Sequence, residues 1–167
     1  MIYIEEKGVY QIDCSYAIWS TDQMQNDYRN AKVQLSDVDF IAETANNIYL
    51  VEYKNGNIDA AIAHGANFDP SEDKIKVKIA KKFYDSIHYL MVKNKNKPIK
   101  YIFIVEYPNA DVTTRKMLRE EISRKLPFKL QANQPGQLIN DFEVLSIDEW
   151  NSHEEYSKLP LTPINNS

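Results

Sequence analysis

The stretch Tyr-Ile-Phe-Ile-Val-Glu at residues 101–106 constrains the fold more than any other part of this chain. Five consecutive apolar side chains leave no polar face to turn toward water, so the run predicts a strand buried on both sides and set centrally in a sheet. Such a strand needs covering elements, and one precedes it. Ile75, Ile79, Phe83, Ile87, Leu90 and Met91 recur mostly at spacings of three and four, an apolar stripe that predicts a long amphipathic helix over residues 71–92. Asp69-Pro70-Ser71-Glu72 reads as its start, with Asp69 as cap, Pro70 at the first helical position and Glu72 at the third. The opposite helix face carries Lys74, Lys78, Lys81, Lys82 and Asp85.

Two further strands precede this helix, over residues 37–44 and 48–54. Asn46-Asn47 lies between them, and asparagine tolerates the positive φ of a tight hairpin turn. Residues 9–14 alternate in polarity after the turn signal Lys7-Gly8 and predict a hairpin or strand pair at the N-terminus. Residues 20–30 read as either a short exposed helix or a mobile loop. A second helix is expected over 111–126, a last strand over 142–147, and a terminal helix over 148–156 capped by Asp148. The pattern predicts an α/β fold, a central mixed β-sheet flanked by helices, in one domain over residues 1–156. Residues 157–167, with Pro160, Pro163 and Asn165-Asn166, read as a flexible tail.

A length of 167 residues is enough for one hydrophobic core without disulfides or structural metal. Cys14 is the only cysteine, which excludes an intramolecular disulfide and a Cys-rich zinc site and predicts a buried, inert thiol. Glu5, Glu6 and Lys7 interrupt any apolar leader at the N-terminus, and no apolar run is long enough to span a bilayer. The expectation is a cytoplasmic protein with no membrane partner. Lys and Arg number 20 against 24 Asp and Glu, a net charge of −4. That balance argues against coating nucleic acid by bulk charge, so any nucleic-acid contact must be local.

The hairpin is where chemistry is expected. A two-residue loop at Asn46-Asn47 puts Asp39 opposite Lys54, with Glu52 on the same face as the diagonal neighbour of Asp39. A four-residue loop keeps the shared face, whereas a three-residue loop breaks the cluster. Phe40, Ala42, Val51 and Tyr53 then form the opposite, apolar side, which a helix is expected to cover. Two carboxylates a few ångström apart repel unless a cation sits between them, and an oxygen-only site with few protein ligands suits Mg²⁺ or Mn²⁺. Read without function, Asp39 and Lys54 are a surface cross-strand ion pair worth less than roughly 1 kcal/mol.

The segments Ser36-Asp37-Val38-Asp39-Phe40-Ile41 and Glu52-Tyr53-Lys54, followed by a long helix and a buried strand, resemble the PD-(D/E)XK nuclease superfamily. The resemblance implies a restriction-endonuclease-like three-layer core. It also implies that Asp39 and Glu52 hold Mg²⁺ or Mn²⁺ while Lys54 acts as general base or charge stabiliser. The proline of the family motif is replaced, by Ser36 before Asp37 or by Val38 before Asp39. Asp39 is preferred for its following apolar pair and its register; Asp37 shares its parity and is an auxiliary candidate. No N-terminal helix bearing an extra acid is evident, which leaves Glu5, Glu6 and Asp13 unassigned.

Lys78 and Lys82 are auxiliary candidates for phosphate contact, although lysines along a helix are usually only a solvated face. His64, His88 and His153 share no metal-ligand spacing, and His88, beside the apolar stripe, reads as a core histidine. Most of the 11 tyrosines fall where packing explains them. The function expected is a divalent-metal-dependent nuclease acting on DNA or RNA. The alternative is a non-catalytic protein- or nucleic-acid-binding module that keeps the same fold. A homodimer is compatible with either.

Overall fold

The run at 101–106 lies within strand β6 (Ile99–Glu106), where Tyr101, Ile102, Phe103, Ile104 and Val105 are all fully buried in the computed structural model. The structure describes residues 1–5, 8–57, 69–108 and 110–164. Strand β5 (Ile48–Asn55) runs parallel to β6 on one side and β7 (Asp141–Leu145) parallel to it on the other. β4 (Phe40–Glu43) pairs antiparallel with β5, and β3 (Trp19–Thr21) antiparallel with β4. The result is a mixed five-stranded sheet in the order β3-β4-β5-β6-β7. β6 is internal, as expected, although β5 holds the central place.

Parallel strands need a crossover, and helix α2 (Asp73–Val92) lies on the connection from β5 to β6. It ends where the apolar stripe ends. Asn94 takes φ 54°, with Asn94 N–H donating to Met91 O and Lys95 N–H to Leu90 O, a Schellman closure that asparagine tolerates. Its start differs from the expectation. Asp69 Oδ1 accepts from Ser71 N–H and Asp69 O from Glu72 N–H, so Asp69-Pro70-Ser71-Glu72 forms a turn and the helix opens only at Asp73. Asp, Pro and Ser serve a turn as readily as a cap.

Alternation along β5 and β6 gives the sheet two apolar faces. Ile48, Leu50, Tyr101, Phe103 and Val105 pack with Ile79, Phe83 and Leu90 of α2 and with Leu118 and Ile122 of α3 (Val112–Ser123). Tyr49, Val51, Tyr53, Ile102 and Ile104 face the other way. They meet Trp150 of helix α4 (Ile147–Ser152) and a second sheet, order β1-β2-β8, made from β1 (Ile2–Ile4), β2 (Tyr10–Asp13) and β8 (Leu161–Pro163). Helices, sheet, and small sheet with helix make three layers. The long helix therefore covers the face of Glu52, while the Tyr53 and Phe40 face, expected to be covered by a helix, is covered by the Ile147–Ser152 helix together with the small sheet. Ile48 and Leu50 share the parity of Glu52 and require burial as well.

Several local expectations are also revised. Residues 20–30 contain both the end of β3 and helix α1 (Met24–Asn30), anchored by buried Met24. The last helix is capped by Ser146 rather than Asp148, in a capping box with Glu149. The tail is structured as far as β8: Leu159 and Leu161 are buried, and the Trp150 indole N–H donates to Leu159 O at 2.7 Å. His88 is exposed, with Nδ1 3.0 Å from Tyr84 O, and is not a core residue. Cys14 is buried, and burial pushes its thiol up to about 11, well away from the reactive thiolate range. No helix among the described residues is long and apolar enough to cross a membrane. His64 and the last three residues lie outside the described residues.

Candidate functional site

Register decides what the hairpin can do. Glu43 pairs with Ile48 and Phe40 with Val51, and Thr44 N–H donates to Asn47 O at 2.9 Å. The chain thus reverses over Ala45-Asn46, one residue earlier than expected, which moves every partner by two positions. Continued by one residue, this register sets Asp39 opposite Glu52 rather than opposite Lys54. A shift of two preserves parity, so all three side chains keep one face. The link is direct as well, since Asp39 Oδ2 accepts from Tyr53 N–H at 2.7 Å.

That face is the one under α2. Asp39, Lys54, Asp37, Lys78 and Lys82 all line a single cleft of about 530 Å³, where β4 begins and β5 ends. The expected residues are therefore brought together, including the auxiliary ones. Glu52 lies behind this lining without solvent exposure. Its Oε2 accepts from Lys82 Nζ at 2.6 Å, and its Oε1, also buried, has no hydrogen-bond partner. The Tyr101 hydroxyl below donates to Ile79 O at 2.8 Å, so it does not satisfy Glu52.

The charges are coupled. Burial, and then the Asp39 carboxylate, push Glu52 up to about 8, while Lys82 and Lys54 pull in the opposite direction. Burial alone would lower Lys82, but Glu52 and Asp39 outweigh it and hold its ammonium above the ordinary lysine value. The two carboxylates and two ammoniums form one electrostatic unit.

The segment that carries Asp37 and Asp39 is fixed from α2. Ser36 N–H donates to buried Asp85 Oδ2 at 2.7 Å, Lys81 bonds the same carboxylate, and the Tyr28 hydroxyl of α1 donates to Asp85 O at 2.6 Å. The helix face expected to be solvated thus holds the loop through Asp85 and the site through Lys82. Sequence reasoning placed Lys82 only as a phosphate candidate. The signal for more was its position, three residues after Ile79 and beside Phe83, which turns it toward the sheet.

Three other polar side chains of the cleft were missed or left unassigned. Asp22 lies between β3 and α1, Gln25 in the first turn of α1, and Glu5 just past the end of β1. Glu5 Oε1 accepts from Val9 N–H at 2.7 Å, so this acid both closes the first hairpin and stands at the cleft. Its relevance depends on the small sheet packing over the large one, a contact with no local signature. Asp13 instead accepts from Ser15 N–H at 2.8 Å, and Glu6 lies outside the described residues.

Among the described residues no group of three His, Cys, Asp or Glu side chains is placed to hold a metal ion. The continued register sets the Asp39 and Glu52 side chains on one face, and the Oε1 of Glu52 is a buried oxygen without a hydrogen-bond partner. This oxygen-only pair suits Mg²⁺ or Mn²⁺, which keep several water ligands and take one or two carboxylates from protein. The donor set fits the ion. Compared with protein-family models, with curated proteins and with solved structures, the chain matches none.

Proposed function

We propose that this protein is a divalent-metal-dependent nuclease that hydrolyses phosphodiester bonds in DNA or RNA, with a restriction-endonuclease-like core. The observation that carries the reading is Glu52: a fully buried carboxylate, opposite Asp39 and beside a lysine-lined cleft, with one oxygen lacking any partner. An uncompensated buried carboxylate oxygen is costly, and proteins keep such groups where they serve chemistry.

In this reading Asp39 and Glu52 hold Mg²⁺ or Mn²⁺. When bound, such a cation supplies electrophilic activation of the phosphoryl group and acidification of water. Lys54, two residues beyond Glu52 and on its face, holds positive charge against the negative charge that grows on the phosphate oxygens. Lys78, exposed at the cleft wall, attracts and orients the neighbouring backbone phosphate. Asp85 fixes the segment bearing Asp37 and Asp39.

The test is hydrolysis of single-stranded and duplex DNA and RNA in Mn²⁺, with and without excess chelator. Cleavage that requires Mn²⁺ and is lost in Asp39→Ala is expected. The absence of cleavage from every substrate would overturn the enzyme reading. A specific observation supports the second reading, a non-catalytic binding module: Lys82 already occupies one oxygen of Glu52. That module would bind nucleic acid or protein without metal-dependent cleavage.

A further inference from the structure

The Lys82 ammonium stands where a cation is wanted. It comes from the third turn of α2, lines the cleft, and reaches back 2.6 Å to the buried Oε2 of Glu52, with its own side chain only 12% exposed. Coulombic attraction from Asp39 and Asp37 also acts on it. A lysine ammonium is a compact point charge on a flexible stem, able to move from a buried carboxylate to a solvent-filled cleft by rotating side-chain bonds.

We propose that Lys82 is a displaceable resident counter-ion: in the metal-free protein its ammonium neutralises the Asp39 and Glu52 pair, and a divalent cation binds only by expelling it into the cleft. This inference rests on the metal-site reading above. Its physical basis is competition. A divalent ion and an ammonium cannot both sit within a few ångström of Glu52 without strong like-charge repulsion, which the low dielectric of a buried site amplifies. Leaving an ionised Glu52 with no cation at all is costly too, so the fold carries one of its own. Once expelled, the ammonium joins Lys54 and Lys78 on the lining of the same cleft.

The experiment is calorimetric titration of Mn²⁺ alone at pH 8.5 into wild type, Lys82→Met and Lys82→Arg. Lys74→Met serves as control, because Lys74 lies on the same helix, exposed and paired with Glu72 away from the cleft. Methionine keeps most of the side chain's length and its apolar stem while removing the competing charge, so Mn²⁺ is expected to bind at least tenfold tighter than to wild type. Arginine grips a carboxylate with two donors and should bind Mn²⁺ several-fold more weakly. The control should match wild type. If Lys82 merely props up the site, Lys82→Met will bind Mn²⁺ no better than wild type or worse, and the inference is overturned while the metal site stands. Should Lys82→Met fail to fold, the arginine variant decides: affinity equal to or tighter than wild type refutes displacement. Wild type that binds no Mn²⁺ overturns the metal-site reading itself.

Discussion

Lys54→Ala is expected to lower turnover by about 10²- to 10⁴-fold while leaving substrate affinity within a few-fold of wild type. Lys54 sits on β5 with its side chain on the face of Glu52 and Asp39 and lines the cleft, whereas Glu52 lies behind it. In the proposed mechanism an ammonium there meets charge that develops in the transition state and is weaker in the ground state, so its loss would appear in kcat rather than in binding. Single-turnover cleavage and anisotropy binding, run on wild type, Lys54→Ala and Glu52→Ala purified identically, separate the two quantities. Activity that persists in both variants belongs to another site or to a contaminant. A loss confined to affinity would make Lys54 a phosphate anchor and remove it from the chemistry.

The second large effect is a slope in stability with pH. A free glutamate titrates near 4.5, and burial followed by the Asp39 charge pushes Glu52 in the folded protein up to about 8. Between these values the native state binds a proton that the unfolded chain has released. Stability therefore falls as pH rises from about 4.5 and levels off above about 8. A shift from about 4.5 to about 8 on a fully buried group corresponds to a loss on the order of 5 kcal/mol across the window. Glu52→Gln cannot titrate there, so this part of the slope should vanish, whatever constant cost the loss of the Lys82 ion pair adds. Urea denaturation of both proteins in chelator at several pH values between 5 and 9 measures it. Parallel stability profiles would show that Glu52 is ionised throughout.

Much of this fold was legible because periodicity carries it. The five apolar residues from Tyr101 to Val105 could only be an internal strand, and the stripe from Ile75 to Leu90 could only be a helix covering a sheet. The α/β class with a mixed sheet follows from that order of elements. What was misread depends on contacts distant in sequence. The turn closes between Thr44 and Asn47, one residue earlier than the Asn-Asn signal suggests, and the Asn47 side-chain amide donates to Glu155 Oε1, a residue 108 positions away. Parity survives the shift, so Asp39, Glu52 and Lys54 still share a face even though their pairing was wrong.

The tail was misread for a similar reason. Prolines and asparagines suggest fraying, yet β8 completes the small sheet on β2, with Leu161 opposite Ile12. Membership of Glu5, Asp22 and Gln25 in the cleft depends on how the two sheets and α1 assemble, and no local pattern encodes that. Lys82 was half legible: its type marked it as a phosphate candidate, but its angular position beside Ile79 and Phe83 marked it as inward. A buried lysine demands a buried acid, and Glu52 was the only acid already placed on that face of β5.

The central claim is that Asp39 and Glu52 form a divalent-cation site, and crystals soaked in Mn²⁺ test it most directly through anomalous scattering. The account predicts a peak bonded to both carboxylates at about 2.2 Å, with Lys82 Nζ moved off Glu52. A site empty at saturating Mn²⁺, with Lys82 still bonded to Glu52, would contradict it.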